Sequence, residues 1–276
     1  MTYGRLKGLK PEDFQHPGEK NAMAVLRNTP MLDMIAGKYV DMRVQLGVYA
    51  ETVGSDFRIT EKTNPRIYKL YQLALERLDM PMEYPLYSRM SFDYNAGAVG
   101  GENPFIYIHS STIANYTDAE MLNLLGHELG HIKCGHVKYY YLPSLLADEL
   151  AKMGGAASAA GVGLQYAIMD WRRKAEYSAD RAGMIAVGSL EGALAGNMNL
   201  LGKSDRIPDI NFDVDEVLKQ AEDFDIETSD VIGKLLYVSY TARATHPWTI
   251  LRLKQLKDWY DSGEYDAMIN NVINRQ

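Results

Sequence analysis

NLLGHELGHIKCGH, residues 123–136, sets two histidines four positions apart, with a glutamate directly after the first. On an α-helix of roughly 100° per residue, His127 and His131 fall about 40° apart on one face and one turn apart along the axis. A single metal ion can therefore touch both. Glu128 then sits beside the metal's open position, where its carboxylate can take a proton from a zinc-activated water.

The helix that carries the pair is well specified. Thr117 and Glu120 form a capping box, Met121, Leu122, Leu125 and Leu129 supply an apolar side, and Gly135 offers the stop. Gly126 and Gly130 oppose it by about 1 kcal/mol each relative to alanine, which predicts an element packed closely against that face. The bland alternative is a chance match on an amphipathic helix. His136 lies about 180° round a continuing helix from His127 and reads as a C-terminal capping or surface group. Cys134 returns to the His127 face but about 10 Å further along the axis. That is too far to share a centre whose ligand bonds are about 2.0–2.3 Å, so it reads as a small buried thiol.

The chain around this helix has 276 residues, 46% hydrophobic and 24% charged, which suits a soluble globular protein with ample core. A net charge of −7 without a basic cluster argues against nucleic acid or an anionic membrane surface as partner. One cysteine excludes an intramolecular disulfide framework and fits a reducing compartment. The opening MTYGRLKGLKPEDFQHPGEK has no apolar run of signal-peptide length, so the expected location is cytoplasmic, in a bacterium. Met153 to Met169 is uncharged but shorter than the ~20 residues a bilayer needs. It reads as a small-residue helix or loop near the site; stable membrane insertion is not expected, and peripheral association stays open.

Upstream, residues 1 to about 20 read as an irregular lead broken by Pro11 and Pro17. Apolar spacings of three and four predict two helices, one through Ala22, Met23 and Leu26 and one from Leu32 to Leu46. A third helix is predicted over Pro65 to Leu78. Tyr84–Tyr94 and Phe105–His109 read as strands, joined by a flexible turn over 95–101. The second strand, just before the metal helix, would offer its edge to an extended substrate backbone. Asn95, Ala96, Ile106, Tyr107 and Ile108 are thus the expected substrate contacts.

Zinc needs a further protein ligand, and the segment RRKAEYSADRAG on a helix from about Leu164 to Val187 offers Glu176. Spacing alone leaves two readings of Glu176: third ligand, or solvated carboxylate paired with Arg172 or Arg173. Glu176, Asp180 and Gly183 share a face with Ala179, whose small neighbours would allow close approach. Asp180 is placed to accept a hydrogen bond from a ligand histidine. The acidic segment Asp205–Asp230 imitates the start of a calcium loop, but Val214 stands where glycine is needed and Gln220 where glutamate is needed, so calcium is rejected.

GHELGH, then EYSAD, then THP with an arginine six residues after its histidine, resembles the zinc metallopeptidases that include HtpX-type heat-shock proteases and CAAX prenyl endopeptidases. The matching residues are His127, Glu128, His131, Glu176, Asp180, His246 and Arg252. The resemblance implies a thermolysin-like gluzincin core, one Zn2+ per chain held by His127, His131 and Glu176, and endoproteolysis of a polypeptide. Its best-known members are integral membrane proteins, and this chain shows no secure spanning helix. His246, before Pro247 at a helix start, reads as a helix cap, an oxyanion donor or a resting-state zinc ligand; the resemblance favours the cleft. Arg252 is expected to brace that helix or a neighbouring carboxylate.

The expectation is a mainly helical α+β zinc endopeptidase, with an N-terminal helical region over 1–83 packed on a catalytic domain over 84–276. Its rivals are a non-catalytic zinc-site protein acting as a binding or chaperone-like module, and a zinc aminopeptidase.

Overall fold

A computed structural model describes residues 4–27, 44–140, 156–202, 213–227 and 248–275. Short helices α1 (Pro11–Phe14) and α2 (Pro17–Arg27) lead to a π-helical turn (Val44–Tyr49), α3 (Ala50–Ser55), β1 (Phe57–Arg58) and α4 (Pro65–Arg77). Three strands follow, β2 (Leu86–Arg89), β3 (Ala96–Val99) and β4 (Phe105–His109), then α5 (Ser110–Asn115) and α6 (Asp118–Lys133). The rest is helical: α7 (Ala156–Val187), α8 (Leu190–Met198), α9 (Val214–Glu227), α10 (Thr249–Asp261) and α11 (Glu264–Asn274). This is the mainly helical α+β arrangement read from the sequence. The helix expected over Leu32–Leu46 falls mostly outside the described residues, and His246 wholly so.

Local chemistry accounts for the boundaries. The α6 capping box is formed: Glu120 N–H donates to Thr117 Oγ1 at 3.3 Å and Thr117 N–H to Glu120 Oε2 at 2.8 Å. Asn64 caps α4 through its side-chain oxygen and Pro65 takes the first helical position. That helix ends on Asp79, whose φ of 49° opens a Schellman turn in which Met80 N–H reaches the Leu75 carbonyl.

The described strands form one mixed sheet in the order β1-β2-β4-β3, with β2 and β4 parallel and the other pairs antiparallel. Two expectations are corrected here. The flexible turn over 95–101 contains a strand, β3, disguised by its Ala-Gly-Ala-Val composition. A Cβ at Gly97 would stand 2.8 Å from the Tyr107 ring, so the strand has glycine there for a steric reason rather than for flexibility. And β4 lies between β2 and β3, paired on both sides, so Ile106, Tyr107 and Ile108 have no free edge to offer. Ile106 and Ile108 are buried in the core.

α6 runs through the middle of the molecule, against α4, α7, α8 and β3. Met121, Leu125 and Leu129 join the same apolar core as Leu6, Leu9 and Phe14 from the N-terminal segment, Ile67 of α4 and Ile108 of β4. The two glycines inside α6 face α7. A Cβ at Gly126 would stand 2.2 Å from the Ala186 Cβ, and one at Gly130 would stand 2.5 Å from the Ala182 Cβ. From the other side, a Cβ at Gly183 would meet Asn123 at 2.6 Å. The helices therefore touch nearly backbone to backbone, which offsets the helix propensity that glycine loses. The uncharged stretch before Glu176 is helical from Ala156 on, so α7 begins earlier than Leu164.

Candidate metal centre

The α6–α7 contact brings residues 45 to 49 positions apart in sequence onto one spot. His127 Nε2 lies 3.1 Å from His131 Nε2 and 3.5 Å from Glu176 Oε2, and His131 Nε2 lies 3.6 Å from Glu176 Oε1. A tetrahedral ion with bonds of about 2.0–2.1 Å would space its donors roughly 3.3 Å apart. Among the described residues, His127, His131 and Glu176 are the group of three able to hold a metal ion, and all are buried.

The surrounding hydrogen bonds say what that spot needs. Asp180 Oδ1 stands 3.1 Å from His127 Nδ1, so the proton of this imidazole is on Nδ1 and Nε2 presents a lone pair. Two imidazole nitrogens 3.1 Å apart beside a carboxylate need a cation between them, either a proton or a metal ion. Burial lowers the His127 imidazole, but hydrogen bonds to Asp180 and Glu176 outweigh it and raise the group to about 10. The pull that would hold a proton there would equally hold a metal ion.

Arg252 clamps Asp180 from α10, with Nε 2.8 Å from Oδ2 and Nη2 2.6 Å from Oδ1. Burial pushes the Asp180 carboxyl up, but Arg252 and His127 outweigh it and hold it below the usual carboxylate range. Asp180 and Arg252 thus neutralise one another. Glu176 and Glu128 remain as two buried carboxylates at the same spot, a charge that one divalent cation balances. The donor set, spacing and charge fit zinc.

Glu128 lies beside this cluster. Its Oε2 accepts the Ala98 N–H of β3 at 2.7 Å, so this carboxylate and the edge strand are in direct contact. A cavity of about 240 Å³ opens beside it, lined among others by Asn123, His127, Glu128, Glu176, Asn197 and Arg252. A smaller one of about 90 Å³ runs along residues 95–99 past Tyr107 and Tyr140. Asn95 and Ala96 line both cavities, whereas Ile106 and Ile108 line neither.

His136 departs from its expected place. It is neither on the surface nor a cap: it is buried, with its Nδ1 2.9 Å from Nδ1 of His131 and its Nε2 3.3 Å from Glu19. The reasoning from 100° steps assumed that the helix continues, but α6 stops at Lys133 and the chain turns back. Glu19 was not singled out from the sequence, where a lone glutamate in the first turn of a helix carries no sign of its burial. Cys134 is buried, as its position predicts.

Residues 61–260 match Peptidase family M48. Plastoglobule-localized metallopeptidase 48, a chloroplast protein of Arabidopsis thaliana, is 29% identical over 269 residues, which cover 96% of this chain and 77% of that protein. No solved structure matches the chain. Among the described residues, no helix is long and apolar enough to cross a membrane.

Proposed function

The chain belongs to peptidase family M48, a family of metallopeptidases, and from that premise we propose that it is a zinc endopeptidase acting on extended or unfolded polypeptides. The observation that carries this reading is the meeting of three buried donor groups 3.1–3.6 Å apart with a fourth group, the carboxylate of Glu128, beside them. In this reading the folding unit is a thermolysin-like core over 84–276 with residues 1–83 packed on it as a helical extension.

His127, His131 and Glu176 would hold a zinc ion, which would supply Lewis acidity and an activated water at this spot. The chain's own residues do the rest. Glu128 takes the proton of the attacking water and delivers it to the leaving nitrogen, which requires its carboxylate to leave the Ala98 N–H or share it. Asp180 keeps His127 in the tautomer that ligates, and Arg252 keeps Asp180 ionised and oriented. The substrate strand adds to the free edge of β3, where the Ala98 N–H points into the site, instead of to β4. Main-chain pairing of that kind places little demand on sequence. His246 keeps its proposed role in the cleft, as oxyanion donor or resting-state ligand. The working location is the cytoplasm; the plastoglobule in the relative's name points to peripheral contact with a lipid surface as the alternative.

Mass-spectrometric mapping of products from an unfolded protein tests the proposal. Zinc-loaded protein should make internal cuts, and Glu128→Gln should retain zinc and lose them. Products trimmed only from the substrate N-terminus would indicate an aminopeptidase. Cutting by Glu128→Gln at the normal rate would remove the general base from the account.

A further inference from the structure

The end of α6 carries more than a helix stop. Gly135 adopts φ 74°, its N–H bonds the Ile132 carbonyl at 3.0 Å, and His136 N–H bonds the His131 carbonyl at 2.9 Å. This Schellman turn folds the chain back so that His136 lies beneath the ligand His131, Nδ1 to Nδ1 at 2.9 Å. On its far side His136 Nε2 meets Oε1 of Glu19 at 3.3 Å. Glu19 sits in the first turn of α2 and is fully buried. Ser178 Oγ donates to its Oε2 at 2.8 Å and Gln15 Nε2 to its Oε1 at 3.2 Å, while the Trp171 ring packs edge-on to His136.

Valence places the protons along this chain. An ionised carboxylate only accepts, so the 3.3 Å approach of Glu19 Oε1 to His136 Nε2, which is not aligned as a full hydrogen bond, is favourable when Nε2 carries the proton. Neutral His136 then has an acceptor at Nδ1, which obliges His131 to donate from its own Nδ1. The Nε2 of His131 is left with a bare lone pair aimed at His127 and Glu176. The proton arrangement that suits these contacts is also the one a metal ligand requires.

We propose that Glu19 and His136 are positioning residues of the metal centre: a carboxylate from the N-terminal segment sets, through His136, the tautomer and ring orientation of the ligand His131. Asp180 does the same for His127 by direct contact. The inference rests on the reading of His127, His131 and Glu176 as zinc ligands. It also places part of the centre upstream of residues 61–260, the stretch matched to the family.

Two measurements test it. In zinc-loaded wild-type protein, long-range 1H–15N correlation spectra of the imidazole rings should show His136 protonated on Nε2 and His131 on Nδ1. His136 protonated on Nδ1 would overturn the proposal, and this readout needs no variant to fold. Zinc affinity, measured by competition with a chromophoric chelator, is then compared for Glu19→Gln, His136→Leu and the double variant. Loss of an outer partner of a metal ligand costs about 10- to 100-fold in affinity. Glu19→Gln should fall near the lower bound, His136→Leu within the range, and the double variant no lower than His136→Leu alone. Wild-type affinity in both single variants, or an equal loss from Glu19→Gln in either background, would refute the coupling. Protein that binds zinc with these tautomers yet cuts nothing sinks the endopeptidase reading alone. Glu128-dependent cutting with undiminished zinc affinity in both single variants sinks this one alone.

Discussion

Gly130→Ala sets two well-known effects against each other. Helix propensity alone would stabilise the variant by about 1 kcal/mol. The added methyl, however, stands 2.5 Å from the Ala182 Cβ and 3.3 Å from the Ala179 Cα, whereas carbon atoms pack at about 3.5–4.0 Å. α6 and α7 must therefore part locally by ~1 Å, and overpacking of this kind costs about 1–3 kcal/mol. The net lies between no change and a loss of about 2 kcal/mol, or up to roughly 4 °C in Tm for a chain of this size. The effect on the centre should be larger, because Gly130 adjoins His131 and Ala179 adjoins Asp180. Donors now 3.1–3.6 Å apart would be spread beyond the reach of bonds near 2.0–2.1 Å, and zinc affinity should drop at least about tenfold. Chelator competition and thermal melting of the metal-free protein measure the two quantities separately. Ala182→Gly in the Gly130→Ala background leaves 3.3 Å to the Ala179 Cα as the nearest approach and should recover most of the affinity. A Gly130→Ala protein with a raised Tm and unchanged zinc affinity would refute the claim that this contact sets the ligand spacing.

Asp180→Asn turns an amide NH2 towards the Arg252 guanidinium and leaves that buried cation the longer, 3.8 Å contact to Glu176; denaturant titration should show a loss of about 3–5 kcal/mol. Undiminished stability would mean that water reaches Arg252 and that the clamp is not dry. Just past the end of α4, Asp79 accepts from Arg5 Nε at 2.6 Å and from Gly8 N–H at 2.7 Å. Burial pushes its carboxyl up, but these partners outweigh that and hold it below its ordinary value. Its contribution is therefore present above the unfolded-state pKa of about 3.9 and lost as pH falls through the lower folded value. Hydrogen-exchange protection of residues 4–9, taken relative to the intrinsic exchange rate at each pH, should fall below about pH 4. Asp79→Asn, which tolerates the same left-handed backbone, should show that loss of protection already at neutral pH, and a wild-type-like profile would disprove the role of the charge.

The metal-bearing helix was legible because its signals are local: a cap, a spacing, a stop, and glycines whose cost needed a neighbour to explain it. Glu176, Asp180 and Arg252 were legible only in combination, since each alone reads equally well as a surface ion pair. What stayed hidden depends on the third dimension. Nothing in Ala96-Gly97-Ala98-Val99 marks a strand, because its identity comes from pairing with β4 and from the Tyr107 ring laid over Gly97. His136 escapes a count of 100° steps because Gly135, at φ 74°, turns the chain back and takes the next side chain off the helix face. Glu19 is 117 residues from the histidine it meets, and no periodicity connects them.

The clamp on Asp180 has a consequence for the order in which the protein is made. A ribosome delivers His127, His131, Glu176 and Asp180 before Arg252, which follows Asp180 by 72 residues. Until α10 emerges and docks, the nascent centre holds its acidic groups without the guanidinium that balances one of them. An ion captured at that stage would sit among looser ligands than those of the finished protein. Completion of the centre thus waits for the last of its described residues to be made, and that residue sets the final grip.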